Sequence, residues 1–238
     1  MAANEYRRSL YSLMAEMYRA DKVLLDEDFQ GYGYALATPP AGWAAIDTSA
    51  AGAPTIAQAA TNGGGVICTL AANSEAEACG LNRGDGLCYD VDQVKYFEAR
   101  FLSPTLTSVQ TIVIGMTSAH NDDPDAITAG AWLHIPLASA IKAESDDGTT
   151  DNDDISTGKT LGASVWCSAL IDFSTKTNVK FYLDVLGNGK FERVAPATTF
   201  TLAAYTANLQ PAAWIKKASG TTTPALTVDY MRVCGNRR

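Results

Sequence analysis

The sequence predicts an all-β protein, an antiparallel sandwich or barrel in one large domain, preceded by an amphipathic helical arm. Three observations predict it. Apolar residues alternate with period two in most of the apolar stretches after residue 23. Clusters of Gly, Asn, Asp, Pro and Thr separate those stretches with no helical segment between them, which excludes a βαβ layout. Helical spacing is convincing only over residues 4–20.

Taken in order, residues 1–22 form the arm and residues 23–238 the β domain. In the arm, Tyr6, Leu10, Leu13 and Met17 recur at helical steps with Met14 beside them, so they share one stripe. Asn4 is placed to cap the helix, and Arg7, Arg8, Glu16 and Arg19 fall on its other faces. A lone helix of about 17 residues is marginal in water, so the stripe must bury against something. A sandwich closes its core with its own strands and offers the stripe no evident groove. Four bases (Arg7, Arg8, Arg19, Lys22) against three acids (Glu5, Glu16, Asp21) make the arm net +1, which leaves the remaining chain at −9. That suits an apolar stripe docking on a neighbouring chain while its arginines reach acidic groups at the rim. Tyr6, Arg7, Arg8, Leu10, Leu13, Met14 and Met17 are the expected partner-binding residues. The alternative is a helix packed over one sheet of its own sandwich.

In the β domain, residues 94–101 set Phe97, Ala99 and Phe101 on one face and Glu98 and Arg100 on the other. Residues 108–116 are almost continuously apolar, as in a strand covered on both sides. Residues 131–135 alternate, with His134 on the face of Trp132. Residues 164–173 align Val165, Cys167, Ala169, Ile171 and Phe173, and residues 179–185 alternate into a hairpin turn at Gly187-Asn188-Gly189-Lys190. Residues 191–194, 213–216 and 226–233 bring the total to about ten strands. The expected core includes Phe97, Phe101, Ile112, Ile114, Ile171, Phe173, Phe181, Leu183 and Val228.

Composition bounds the function. With 238 residues, 47% of them hydrophobic and 18% charged, the chain is ordinary globular material and needs no disulfide or metal staple. No apolar run approaches the roughly 18–20 residues of a membrane span, and the N-terminal stretch lacks a secretory apolar region, so neither membrane nor export is expected. A net charge of −8 argues against nucleic acid as partner. Residues 120–154 hold nine acids and one base, Lys142, so that segment alone carries the charge of the whole chain.

Motifs that suggest chemistry fall short of it. Asp154-Ile155-Ser156-Thr157-Gly158-Lys159-Thr160 ends like a phosphate-binding loop, but Asp153 stands where the first glycine belongs, and a loop leading into a strand is expected there. The acids of 144–154 miss the EF-hand pattern: Ala143 and Ser145 occupy the first two acid positions, and Asp154 the place of the long glutamate. A solvated loop is expected, with calcium the alternative. Isolated strand acids (Glu98, Asp172, Asp184, Asp229) do not form a glycosidase pair, and no nucleophile elbow accompanies His120 and His134. Cys68, Cys79, Cys88, Cys167 and Cys234 lack zinc spacing and read as reduced thiols. Trp43, Trp132, Trp166 and Trp214 are expected to pack in the core rather than to stack on sugar. No catalytic residue, metal or cofactor is expected.

Several stretches in order resemble a known family. They are Tyr96-Phe97-Glu98-Ala99-Arg100, residues 119–127 (AHNDDPDAI), Asp147-Gly148-Thr149 with Asp151-Asn152-Asp153-Asp154, Leu170-Ile171-Asp172-Phe173, residues 179–184 (VKFYLD) and residues 226–233 (LTVDYMRV). The series, over residues 25–238, resembles the concanavalin-like (laminin-G-like) jelly-roll proteins encoded among tailed-bacteriophage structural genes, some of which decorate or cement the capsid. The last two stretches also resemble carbohydrate-active jelly rolls, but the closely spaced catalytic acids of the glycanase branch are missing. The resemblance implies a jelly-roll sandwich and a non-enzymatic virion structural protein. It would be a decoration or cement protein that binds the major capsid protein, forms a homo-oligomer on the capsid surface and is assembled in the host cytoplasm. The alternative it leaves open is a lectin-like module that binds host glycan on a virion surface or fibre.

Overall fold

Period-two alternation gives each strand one apolar face, and two sheets bury those faces against each other. The computed structural model describes residues 23–31, 33–60, 64–104, 110–136, 140–162 and 164–236. In chain order the strands are β1 (Val23–Glu27), β2 (Ala44–Asp47), β3 (Thr55–Gln58), β4 (Val66–Thr69), β5 (Glu77–Asn82), β6 (Tyr89–Asp90), β7 (Val94–Leu102) and β8 (Gln110–Thr117). They continue with β9 (Gly130–Ile135), β10 (Ala140–Asp146), β11 (Asp151–Thr160), β12 (Trp166–Asp172), β13 (Lys180–Asp184), β14 (Glu192–Val194), β15 (Asn208–Lys217) and β16 (Ala225–Gly235). One turn of 3-10 helix, Pro124–Ala126, lies between β8 and β9.

Among the described residues the first sheet runs β14-β13-β12-β7-β16-β4-β3, with β1 also on β16. The second runs β11-β10-β9-β8-β15-β5-β2, with β6 also on β15. All their pairings are antiparallel. This is the all-β antiparallel sandwich expected. The nine residues assigned to its core all lie in one buried cluster between the sheets. Phe181 meets Phe200 edge-on at 4.8 Å within it. The helix expected over residues 4–20, with its partner-binding stripe, lies outside the described residues.

The strands go beyond the ten or so read individually from the sequence, chiefly because β1 to β6 are short and sit in a stretch rich in Ala, Gly and Thr whose alternation is faint. Two expectations are corrected. The acids of 144–154 do not form a loop: residues up to Asp146 end β10 and residues from Asp151 begin β11, so only 147–150 turn. The same strand runs through 154–160, where a loop leading into a strand was expected. Asp and Asn are poor strand formers, yet here the pairing partner decides the conformation. The turn is set by Asp147, whose Oδ1 accepts from the backbone N–H of Thr149 (3.0 Å) and Thr150 (2.7 Å), and by Gly148 at φ +80°.

Candidate functional site

On the second sheet Ile112, Ile114, Leu133, Ala213 and Ile215 point inward to the core. Their neighbours Val113, Trp132, Ala212 and Trp214 point the other way and join Ile46, Ala78 and Ile127 in a separate apolar cluster on the outer face. Two glycines make room for the indoles. Gly115 lies opposite Trp132 and Gly80 opposite Trp214, and a Cβ on either would come within 2.6 Å of the tryptophan's Cβ. Both tryptophans are at most 1% exposed. They pack as expected, but outside the main core, whereas Trp43 lies within it and Trp166 is half-buried under Arg100, 4.4 Å from its ring centre.

What covers the indoles is the loop between β8 and β9. His120 stands edge-on to Trp214 at 4.8 Å, and Ile127 closes the cluster. The loop is pinned at its base: Gln210 donates to Ser118 O (3.0 Å) and Asp85 Oδ1 (2.7 Å), Asp85 accepts from the His120 N–H (2.9 Å), and Lys216 Nζ donates to Asp122 O. So fastened, it holds Asn121, Asp122, Asp123 and Asp125 in solvent.

Beside Trp132 the same face carries a knot of ionisable groups. His134 follows Trp132 at the next outward position of β9, and the β9–β10 register puts Glu144 opposite Trp132. His134 Nδ1 lies 2.6 Å from Glu144 Oε1, 3.3 Å from Asp154 Oδ1 and 3.8 Å from Asp125 Oδ1. Asp125 comes from the end of the covering loop, and Asp154 from β11, where the pairing with β10 shifts register beside Glu144 and Asp154 adopts φ +50°. Glu144 has no exposed surface and His134 is 8% exposed, while the Asp125 and Asp154 side chains are 55% and 54% exposed.

Burial and charge pull these groups in opposite directions. Burial disfavours the imidazolium of His134, but its hydrogen bond to Glu144 and the charges of Glu144, Asp154 and Asp125 outweigh that and raise its pKa. Burial raises the pKa of Glu144 against the lowering influence of His134. Burial also raises that of Asp125, with Asp123, Asp154 and Asp153 adding to it and His134 opposing. Further along β11, burial together with the neighbouring Asp153 pushes Asp151 up to about 6. The arrangement is a surplus of carboxylates around one imidazole.

The outer face of the first sheet is different. Glu98 accepts from Tyr230 (2.6 Å) and faces Arg232, Arg100 pairs with Asp229 (2.6 Å), and Arg232 pairs with Asp26 (2.8 Å). Asp172 and Asp184, also singled out from the sequence, accept backbone N–H groups of the turns beside them. Each strand acid named in the sequence thus has a hydrogen-bond or ion-pair partner within the fold. Cys68, Cys79, Cys167 and Cys234 are buried thiols, and Cys88 is exposed. Sequence reasoning named His134 and its face correctly but missed its carboxylate neighbours. The signal was spacing: ten residues separate His134 from Glu144, which suits facing positions on two neighbouring antiparallel strands.

No protein-family model matches the chain, and no curated protein matches it significantly. Solved structures do. The carbohydrate recognition domain of Emp47p is 12% identical with a TM-score of 0.56, over 92% of this chain and 96% of that one. The exoplasmic/lumenal domain of VIP36, in a Ca2+/Man2-bound form, is 9% identical with a TM-score of 0.54, over 90% and 88%. A Bacteroides ovatus GH16 protein of a mixed linkage glucan PUL, in complex with a product, is 10% identical with a TM-score of 0.55, over 89% and 100%. The chain therefore has the concanavalin-like jelly-roll fold that these two domains and this GH16 protein share, and at such identity the likeness concerns the fold alone.

Proposed function

We propose that the chain is a carbohydrate-binding module that holds glycan without cleaving it. The observation that carries this reading is the loop between β8 and β9. It seals Trp132 and Trp214 from solvent and presents Asp122 and Asp123 outward, with acceptor oxygens suited to sugar hydroxyls. Neighbours of the same fold are carbohydrate-recognition domains by name, which supports the reading.

Hydrolysis is disfavoured by geometry. A glycosidase needs two carboxyls about 5–10 Å apart flanking an accessible bond. Here the candidate oxygens of Asp125 and Glu144 crowd within 4.8 Å, and Glu144 has no surface with which to touch a sugar.

For the setting we propose a virion surface, a reading that rests on the resemblance of the ordered series of segments to phage-encoded jelly rolls. In that setting Tyr6, Leu10, Leu13, Met14 and Met17 face the major capsid protein or a second copy of the chain. The test of function is a glycan array read with the full chain and with the Asp122→Ala/Asp123→Ala variant. Binding by the first and its loss in the second is the expected result. Absence of glycan binding by the full chain overturns the reading, and release of reducing ends from a bound glycan overturns its non-catalytic part. Co-sedimentation with purified capsids, abolished by deleting residues 1–20, tests the setting.

A further inference from the structure

We propose that Asp125, His134, Glu144 and Asp154 form a binding site for one divalent first-row transition cation, with zinc the best fit. The sequence, with its cysteines scattered and its acids read as a loop, led to an expectation of no metal. The folded register changes the inventory. Strands β9 and β10 and the covering loop bring an imidazole nitrogen and two carboxylates together, the candidate atoms of Asp125, His134 and Glu144 all lying within 4.8 Å of one another, and β11 sets Asp154 Oδ1 3.3 Å from the same nitrogen.

The distances suit the ion. Metal–ligand bonds of about 2.0–2.1 Å in a tetrahedron place ligand atoms about 3.3 Å apart. From His134 Nδ1, Asp154 Oδ1 stands at 3.3 Å and Asp125 Oδ1 at 3.8 Å. Glu144 Oε1, at 2.6 Å, is held by a hydrogen bond that an incoming cation replaces, since the ligating nitrogen then carries no proton.

A second observation is independent of this spacing. Among the described residues, Glu144 Oε2 is buried without a hydrogen-bond partner. The neighbouring Trp132 indole N–H favours the ionised carboxylate but falls short of hydrogen-bond geometry, and Trp132 Nε1 is likewise without a partner. An unsatisfied carboxylate oxygen with no exposure is costly unless a cation is part of the site. Charge leads to the same place. Among the described residues, the ammonium that touches this group, Lys142 Nζ, donates to the backbone carbonyl of Asp154 (3.3 Å) rather than to a carboxylate.

Donor chemistry selects the kind of ion. Calcium takes six to eight oxygens, and magnesium keeps much of its water in an octahedron. One nitrogen with three carboxylate oxygens is a borderline set that favours zinc or its first-row neighbours. Two ligands are buried and rigid on adjacent strands, whereas Asp125 and Asp154 are half-exposed and form the way in. The inference stands apart from the glycan reading, because the ion itself is what is measured.

The experiment is calorimetric titration of the chelator-stripped full chain with zinc, calcium and magnesium. One zinc per chain is expected, bound at least about tenfold more tightly than calcium or magnesium. His134→Ala and Glu144→Gln should each weaken zinc by about tenfold or more, and Asp92→Asn, which removes an acid paired instead with Lys176, should leave it unchanged. Because the buried variants risk misfolding, Asp154→Asn, on a half-exposed side chain, provides the second variant and should also cost about tenfold. Cobalt supplies a further readout: visible absorption bands of a low-coordinate site in the wild type, absent in Asp154→Asn or His134→Ala. No zinc uptake, calcium bound as tightly as zinc, or wild-type affinity in Asp154→Asn overturns the proposal.

Discussion

Two buried glutamates in the same sheet solve the same problem differently. Glu77, at the start of β5, lies 3.2 Å from Lys217 Nζ, and neither side chain is exposed. Lys217 also donates to the carbonyls of Ala71 (2.5 Å) and Asn73 (2.6 Å), and the Ala71 N–H donates back to Glu77 Oε1. One cation answers one anion, and two backbone carbonyls accept further protons of the ammonium. Glu144 instead shares a single imidazole with Asp125 and Asp154. Glu77 also leaves Oε2 without a partner, so a lone oxygen is not what separates the two. Charge balance is. The first site is complete as folded, whereas the second draws in protons, or a cation, from outside.

The largest effect should come from breaking the balanced pair. Lys217→Met leaves Glu77 buried without its counter-charge and should cost about 3–5 kcal/mol in denaturant unfolding. A loss under about 1 kcal/mol would show that water reaches Glu77. Next comes the wall of the other site. In Gly115→Ala the new Cβ falls 2.5 Å from Ala131 O and Trp132 Cα, so the β8–β9 pair must shift, at about 1–3 kcal/mol. Glu144→Gln should be milder, within about 1 kcal/mol in metal-free buffer, because the lost bond to His134 is offset by relief of repulsion from Asp125 and Asp154. Equal losses in Glu144→Gln and Lys217→Met would erase the distinction between the two sites.

The smallest effect is on pH dependence. His134, Glu144, Asp125, Asp146 and Asp151 all have folded pKa values above their ordinary ones. Each such group contributes stability that is fully present below its unfolded pKa and lost as pH rises through its folded one. For Asp151 that window runs from 3.8 to about 6, and for His134 it begins at 6.5 and extends above it. Asp147 opposes them below its ordinary 3.8, since backbone N–H groups of Thr150, Ala204 and Thr149 outweigh its burial and lower its pKa. Melting temperature should therefore be higher at pH 6 than at pH 8, and added salt should shrink the difference. A flat profile between those values would mean that Lys142 and solvent already neutralise the cluster.

How far the sequence reached depended on the residue types that carried each signal. The sandwich and its core were legible because Phe97, Phe101, Ile171, Phe181 and Leu183 alternate with polar partners in strands long enough to show a period. β11 was not, because Asp151-Asn152-Asp153-Asp154 has the composition of a loop and becomes a strand only through its pairing with β10. The ion cluster inherits that blindness. His134 was read correctly on the face of Trp132, but Asp125 reaches it through the covering loop, Glu144 through the β9–β10 register, and Asp154 from β11, whose register shift against β10 no local pattern encodes.

The order of strands has a kinetic consequence. β16 lies between β7 and β4 in the first sheet, and β15 between β8 and β5 in the second. The two strands that come last in this sequence are thus interior to both sheets. Until they arrive, β7 and β4 have no partner between them, and neither have β8 and β5. Each sheet begins as separate fragments with open edges, β1 and β6 among them, and long-range closure makes such topologies slow to fold. During synthesis those unpaired edges are the surfaces most prone to join a neighbouring nascent chain. Segment 208–235 works as a double keystone, and the time spent waiting for it sets the interval in which the chain is most easily lost to aggregation.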